Sequence, residues 1–368
     1  MFKLRTPLLV CAVLACLLGA SYVVSPSRAD GGANHRVLNN NYGVSGGNVN
    51  DSSRRFCCSG TLGSLVKDSA GALYILSNNH VLARADQAAA GEDVSQPGLI
   101  DNNCAIPRIV ADFTTAAALG SNVDAALAAL RSGTMSTTGS IEDIGTISGV
   151  VKAPAVGLAV AKSGRTTGFT TGTIGSINTS VNVSYPKSCG SNGGTVVSYT
   201  NQVVINSSTF SAGGDSGSLI VSNNSASCRQ PVALLFAGSS TATIANPIND
   251  VLAALSAKLG RTVSFVGGTC TAALSSAATP DLSATFGGQM EVSALAVEHA
   301  TGVMRAAEHD LMARPGVIGV GIGAAGKGIN EATIVIYVDR TAATQPDLPK
   351  SINGVKVKRI YTDPIIAY

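Results

Sequence analysis

From Phe56 to about Val266 the chain alternates short apolar runs with clusters of Gly, Asn and Ser. Runs at 60–66, 73–77, 145–151, 173–177, 196–205, 218–221 and 232–237 have strand length and are rich in Val, Ile, Leu and Thr. Many short strands set off by turn residues predict a mainly β fold, as a sandwich or as barrels. Two alanine-rich stretches, near 114–130 and 248–259, predict helices. The second carries Pro247 and Asp250 at its start and Gly260 just past its end, the residues that favour a helix beginning and a helix stop.

The pattern changes after residue 268. Residues 269–290 are small, polar and almost uncharged, as in a linker. A second unit spans 291–368. Val292, Leu295, Ala296, His299, Val303, Ala306 and Leu311 recur at helical spacing, and strand runs follow at 317–322, 333–338 and 355–361. This is the pattern of a small α+β domain. Within it, Gly321, Gly323 and Gly326 fit a G-x-G-x-x-G fingerprint. A dinucleotide site needs a helix after those glycines, because the pyrophosphate sits on the helix N-terminus. The next element reads as a strand, so a hairpin loop is predicted there and no cofactor is expected.

Composition narrows the class. Charged residues make up 13% and aromatic residues 4%, there is no Trp, and 45% of the chain is hydrophobic with 41 glycines. Disorder requires low apolar content, so these values describe a compact, turn-rich β protein instead. The net charge is +3 and no basic cluster stands out, which excludes a nucleic-acid footprint. Residues 1–29 read as an export signal: Lys3 and Arg5, an apolar run from Leu8 to Val24, then Ser27-Arg28-Ala29 before a cleavage point at Asp30. A secreted or periplasmic protein is expected, with no stable membrane contact unless the apolar run persists as an anchor. Cys16 after Leu14-Ala15 hints at a lipoprotein signal, but Leu17 and Leu18 prolong the apolar run past it. Residues 30–55, rich in Gly and Asn, read as a loose arm.

Cys11 and Cys16 fall in the signal, which leaves Cys57, Cys58, Cys104, Cys189, Cys228 and Cys270. An exported chain with an even count can hold up to three disulfides, in any of fifteen pairings. Adjacent Cys57 and Cys58 face opposite sides of a strand, so they are expected to take different partners. No C-x-x-C pair and no His at ligand spacing point to a metal.

Three residues point to chemistry. Gly214-Asp215-Ser216-Gly217-Ser218 places a serine on a turn rich in glycine, which exposes a hydroxyl and aims backbone N–H groups at a developing oxyanion. Those groups are Gly214 and Ser216. The plain alternative is a glycine-rich turn between strands. A nucleophilic serine needs a base, and His80 lies where an apolar strand ends, in Ser77-Asn78-Asn79-His80-Val81. His35 lies in the arm, and His299 and His309 lie on a predicted helix face among acids. Asp124, a lone acid among small apolar residues, is costly to bury unpaired and suits the group that orients the imidazole. Its plain alternative is the N-cap of the alanine-rich helix.

The order His80, Asp124, Ser216 is that of the chymotrypsin superfamily. The phrases CCSGTLGSLV at 57–66, SNNHVLA at 77–83, NVDAA at 122–126 and KSGRTTGFTTGTI at 162–174 resemble bacterial trypsin-like serine proteases, similar to the plant narrow-leaf-type and the streptogrisin-type enzymes. The resemblance covers about residues 56–266. It implies a chymotrypsin-like double β-barrel over 56–268, a secreted serine endopeptidase acting on a protein or peptide substrate, and a Ser216–His80–Asp124 triad. It further implies that Lys162 pairs with Asp215, where the bacterial enzymes use Arg. Counting back from Ser216 puts Phe210 and Ser211 in the substrate pocket, with Ala237 and Gly238 beside them, and so a preference for small or medium apolar side chains. The chain departs from the streptogrisin pattern at Val81, Ala161 and Thr171, where those enzymes carry Cys. The competing reading is a protease fold kept as a binding or assembly module, and a homo-oligomer is compatible with either. The unit at 291–368 is expected to be separable and to modulate the protease, or else to be a spacer or assembly module.

Overall fold

The structure is a computed structural model and describes residues 33–191, 194–223, 229–268, 292–326 and 331–368. The export signal, the linker at 269–290, Cys228 and Cys270 lie outside the described residues.

The chain is mainly β, in two large sheets. The first runs in the order Val263–Phe265, Ser64–Asp68, Leu73–Ser77, Ala126–Leu130, Arg108–Ala116, Asp93–Gln96, Val44–Asn48, Gly60–Leu62. Gly60–Leu62 at one edge leads straight into Ser64–Asp68 near the other, so the sheet curls back on itself. Its interior holds Leu62, Leu65, Ile75, Leu76, Val110 and Leu127, closed at one end by the helix Ile248–Leu259 through Ile248, Val251 and Leu255. In the second sheet, Ala159–Gly164, Leu219–Ser222, Pro231–Gly238, Ala242–Pro247, Gly194–Asn206 and Gly168–Pro186 follow one another, and Gly168–Pro186 pairs back onto Ala159–Gly164. Those six strands therefore close a barrel.

The helix Ile248–Leu259 forms as its terminal residues predict, and Gly260 adopts φ +69° at its C-cap. The alanine-rich stretch near 114–130 does not form a helix. Ala126–Leu130 is a strand between Leu73–Ser77 and Arg108–Ala116, with Ala126, Leu127 and Ala128 buried. Helix propensity amounts to only tenths of a kcal/mol per residue, so tertiary packing overrides it. Here alanine serves as a small interior filler of a tightly curled sheet. The same finding removes the helix that Asp124 was to cap.

The arm at 30–55 is more ordered than its glycines predict. Val44–Asn48 is a fully buried strand, paired with Gly60–Leu62 on one edge and Asp93–Gln96 on the other. Ladder bonds on both edges outweigh the entropy cost of fixing Gly46 and Gly47. His35, which that reading left in the loose arm, is buried with Nε2 2.8 Å from Ser163 Oγ.

Cys57 bonds Cys104 and Cys58 bonds Cys189, so the adjacent cysteines do take different partners. The second bridge ties the first sheet to the loop after Gly168–Pro186.

Residues after 292 form the helix Ala294–Met312, capped by Ser293, over the strands Val317–Ala324, Ala332–Asp339 and Val355–Thr362. The glycine fingerprint falls where Val317–Ala324 meets Ala332–Asp339 in an antiparallel hairpin. Val317–Ala324 also pairs with Gly168–Pro186, making this sheet continuous with the closed barrel. The apolar interior is shared as well: Ile177, Val203 and Ile205 belong to one cluster with Ala300, Met304, Val320 and Ile334.

Candidate functional site

At the junction of the two curled sheets the structure brings His80 and Asp124 together, with Ser216 on a turn of the second sheet. Leu73–Ser77 ends at Asn78, and a single helical turn, Asn79–Leu82, presents His80. Asp124 lies just before Ala126–Leu130, the neighbour of Leu73–Ser77. Ladder pairing thus brings residues far apart in sequence side by side. His80 Nδ1 donates to Asp124 Oδ2 at 2.6 Å, and the His80 backbone N–H donates to Asp124 Oδ1 at 3.2 Å.

Asp124 is fully buried and well supported. Tyr185 Oη donates to its Oδ2 at 2.8 Å, its backbone N–H donates to Asn246 Oδ1 at 3.0 Å, and Asn78 Nδ2 donates to its carbonyl at 2.7 Å. A buried carboxylate held by several donors and a cation is the arrangement low dielectric requires. Tyr185 also stacks edge-on to the His80 ring at 6.0 Å, and Tyr199 hydrogen-bonds Tyr185. Burial raises the Tyr185 hydroxyl well above its ordinary pKa, and the Asp124 charge adds to this, so it remains a donor.

Ser216 sits on the turn that the glycine pattern predicted. Gly214 has φ +96° and Gly217 φ +93°, a region L side chains rarely adopt. A Cβ on Gly217 would also lie 2.2 Å from the Thr61 carbonyl oxygen. Thr166 Oγ1 donates to the Gly213 carbonyl at 2.6 Å, and the Ser218 N–H donates to the Asp215 carbonyl at 3.0 Å. In a trans peptide N–H and C=O point oppositely. Gly214 N–H and Ser216 N–H therefore point away from these anchors, with no partner among the described residues.

Asp215 is held on the other side of the turn. Its Oδ1 accepts from the N–H groups of Thr166 at 2.8 Å and Thr167 at 3.2 Å. Its Oδ2 accepts from Thr167 Oγ1 at 2.7 Å and Ala212 N–H at 3.0 Å, and lies 3.4 Å from Lys162 Nζ. Both side chains are completely buried. Burial pulls the Lys162 pKa below its ordinary value, against the opposing pull of Asp215.

Ser216 Oγ does not bond to His80. It donates to the Phe236 carbonyl at 3.0 Å, while His80 Nε2 lies 2.9 Å from the backbone oxygen of Tyr368. A carbonyl oxygen only accepts, so Nε2 must carry a proton, and with Nδ1–H on Asp124 the ring is an imidazolium. Burial opposes that charge. The Asp124 carboxylate, the bonds to Asp124 and Tyr368, and the Asp51 charge outweigh it and hold His80 above its usual pKa. Stability from these contacts is full below the unfolded value of about 6.5 and is lost as pH rises through the higher folded value. Accordingly, the His80 ring resonance followed by NMR should titrate above about pH 6.5. Titration below that value would contradict this charge arrangement.

The open part of the cleft is a cavity of about 210 Å³ bordered by His80, Arg84, Arg165, Tyr185 and Gly214. Asp51 faces it, its carboxyl pushed up to about 6 by burial against the pull of His80 and Arg84.

Of the expected pocket residues, Ala237 and Gly238 lie on the strand Pro231–Gly238 beside the serine, and Ser211 Oγ is 2.5 Å from Thr243 Oγ1. Phe210 is turned into the barrel core, against Gly172 and beside Ile205. His299 and His309 stand exposed on the helix, as expected. Among the described residues no group of His, Cys, Asp and Glu is arranged to hold a metal. Sequence reasoning missed Tyr185, Asn246, Asp51 and Tyr368. Asn78, two residues before the singled-out histidine, was within the quoted motif; the others carry no local signal.

Two curled sheets with this cleft between them are a chymotrypsin-like fold, followed here by an α+β unit. No family model matches the chain, and no curated protein matches it. Among solved structures, the chain is similar to a glutamic acid-specific serine protease at 20% identity and TM-score 0.43, over 61% of this chain and 98% of that one. It is similar to a chymotrypsin of Cellulomonas bogoriensis at 18% identity and TM-score 0.41, over 62% of this chain and 100% of that one. A Nocardiopsis protease is similar at 19% identity and TM-score 0.38, over 56% of this chain and 92% of that one. These likenesses concern the fold alone.

Proposed function

We propose that the protein is a secreted serine endopeptidase that hydrolyses peptide bonds through an acyl-enzyme. The observation that carries the reading is the His80–Asp124 pair, hydrogen-bonded about a fully buried carboxylate, together with a serine on a turn whose flanking glycines take positive φ. Ser216 Oγ attacks the peptide carbonyl as His80 Nε2 takes its proton. Asp124 holds Nδ1–H and stabilises the imidazolium that forms. The N–H groups of Gly214 and Ser216 receive the oxyanion. His80 then returns the proton to the leaving amine, and water repeats the sequence on the acyl-enzyme. Lys162 and Asp215 hold the turn from within. We take 56–268 as the catalytic unit and 291–368 as an accessory unit. Two disulfides support an oxidising compartment. Among the described residues no helix is long and apolar enough to cross a membrane.

One observation favours a second reading, a binding or assembly module with the triad idle: Ser216 bonds Phe236 rather than His80. Casein digestion by the purified chain and by Asp124→Asn separates the two. The amide places a donor where the carboxylate accepted, so the imidazole is held in the wrong tautomer and the rate should fall about 10⁴-fold. Equal digestion by both proteins would refute the triad, and no digestion by either, nor by the parent chain once its last residues are removed from His80, would favour the binding module.

A further inference from the structure

The residues after Thr362 do not drift into solvent. Thr362 Oγ1 lies 2.5 Å from Ser239 Oγ and accepts from Thr241 Oγ1 at 2.9 Å. Asp363 pairs with Arg340 at 3.0 Å and accepts from Ser240. These contacts lead the chain over the 239–241 turn and into the cleft. Ile365 is buried and its carbonyl accepts from the Ser184 N–H at 2.9 Å.

From there the segment lies extended along the strand that carries the expected pocket residues. Ile366 and Ala367 pair antiparallel with Gly238 and Ala237, and the Tyr368 N–H donates to the Phe236 carbonyl at 3.3 Å. The Tyr368 backbone oxygen ends on His80 Nε2 at 2.9 Å. An extended peptide held by main-chain bonds to an existing strand, with its last residue beside a general base, is how a β-strand ligand is recognised.

The Tyr368 side chain shows what the pocket admits. Its hydroxyl donates to the Ser239 carbonyl at 3.0 Å, and its ring lies against Gly238. A Cβ at Gly238 would come within 2.2 Å of Oη and 2.5 Å of Cζ, so the absence of a side chain there is what makes room for the ring. Phe210, set back in the core, narrows nothing here. Ala367 presents only a methyl group, and the side chain of Ile366 is half exposed, so recognition is concentrated at the tyrosine.

We propose that the cleft recognises an extended peptide with tyrosine as the residue whose carbonyl faces Ser216, and that Ile366–Tyr368 is the chain's own occupant of that cleft. The inference rests on the peptidase reading above. Two consequences follow for the docked segment. It fills the place of a substrate, and by accepting from Nε2 it holds His80 in the protonated form that cannot serve as a base. The serine then has only the Phe236 carbonyl to bond, as seen. The groups facing His80 in this state are Asp124, Asp51, Arg84, Tyr185 and Tyr368, and a segment that needs the imidazolium should release as pH rises.

The test compares the full chain with Tyr368→Gly on N-acylated tetrapeptide anilides ending in Tyr, Phe, Ala, Arg or Glu. A tethered segment acts at an effective concentration in the millimolar range, so Tyr368→Gly should raise kcat/KM by about tenfold or more. The tyrosine anilide should be the best substrate, ahead of phenylalanine, and the free acetylated peptide of sequence 363–368 should inhibit Tyr368→Gly competitively. Equal rates for the two chains, or a preference for Ala, Arg or Glu, would overturn the inference while leaving the peptidase reading intact. Binding is measured separately, by fluorescence anisotropy of the labelled 363–368 peptide on the double variant Ser216→Ala, Tyr368→Gly. Saturable binding there with no hydrolysis by any form would support the occupant and refute the peptidase. Absence of binding would overturn the occupant whatever the hydrolysis shows.

Discussion

Replacing Ser216 with alanine is expected to abolish hydrolysis, with kcat on a peptide anilide falling by about a million-fold. The size of the effect follows from the mechanism: without the hydroxyl there is no acyl-enzyme, and only the oxyanion donors and binding remain to assist water. Folding should survive. Ser216 Oγ makes one neutral hydrogen bond, to the Phe236 carbonyl, and such a bond contributes about 1 kcal/mol. The two readouts must therefore separate, with kcat lost and the urea midpoint nearly unchanged. A variant that digests peptides at the parent rate ends the assignment of Ser216.

The second large effect concerns stability. Lys162→Met leaves Asp215 buried without its cation, and breaking a buried pair in this way costs about 3–5 kcal/mol. Four donors remain on Asp215: three N–H groups and the Thr167 hydroxyl. They offset part of the loss, so a value near the lower end is expected from denaturant unfolding at pH 7. Activity should fall with it, because Asp215 sits between the two amides assigned to the oxyanion. Removing both partners together, in Lys162→Met with Asp215→Asn, should recover part of the stability, since no bare charge is then buried. Unchanged unfolding of Lys162→Met would show that the ion pair contributes nothing.

Three candidate side chains stood out in the sequence because each stands in a local pattern that chemistry explains. Ser216 stands among glycines at positions whose φ is positive, His80 where a strand ends, and Asp124 as a lone acid among alanines. The different partners of Cys57 and Cys58 were legible for a similar reason, the alternation of a strand. What supports those residues was not legible. Tyr185 and Asn246 reach Asp124 only because the second barrel closes beside the first, and no spacing in the chain encodes that approach. The alanines of 126–130 were misread because alanine suits both a helix surface and the inside of a curled sheet, and only the neighbouring strands decide between them. Val44–Asn48 was misread because glycine signals freedom locally, while pairing on both edges removes it. Phe210 was counted into the pocket by distance along the chain, and its ring turns to the core instead.

The accessory unit shows the same limit. Its helix and strands were evident from periodicity. The pairing of Val317–Ala324 with Gly168–Pro186, and the return of Tyr368 to His80, depend on topology alone.

The central claim is that Ser216 is a nucleophile activated by His80. It is tested most directly by treating the chain with a fluorophosphonate and locating the adduct by peptide mass spectrometry. The account predicts a single adduct, on Ser216, forming faster in Tyr368→Gly than in the parent chain and nearly lost in His80→Ala. An adduct that forms equally well in His80→Ala, or no adduct on Ser216 even in Tyr368→Gly, would contradict it.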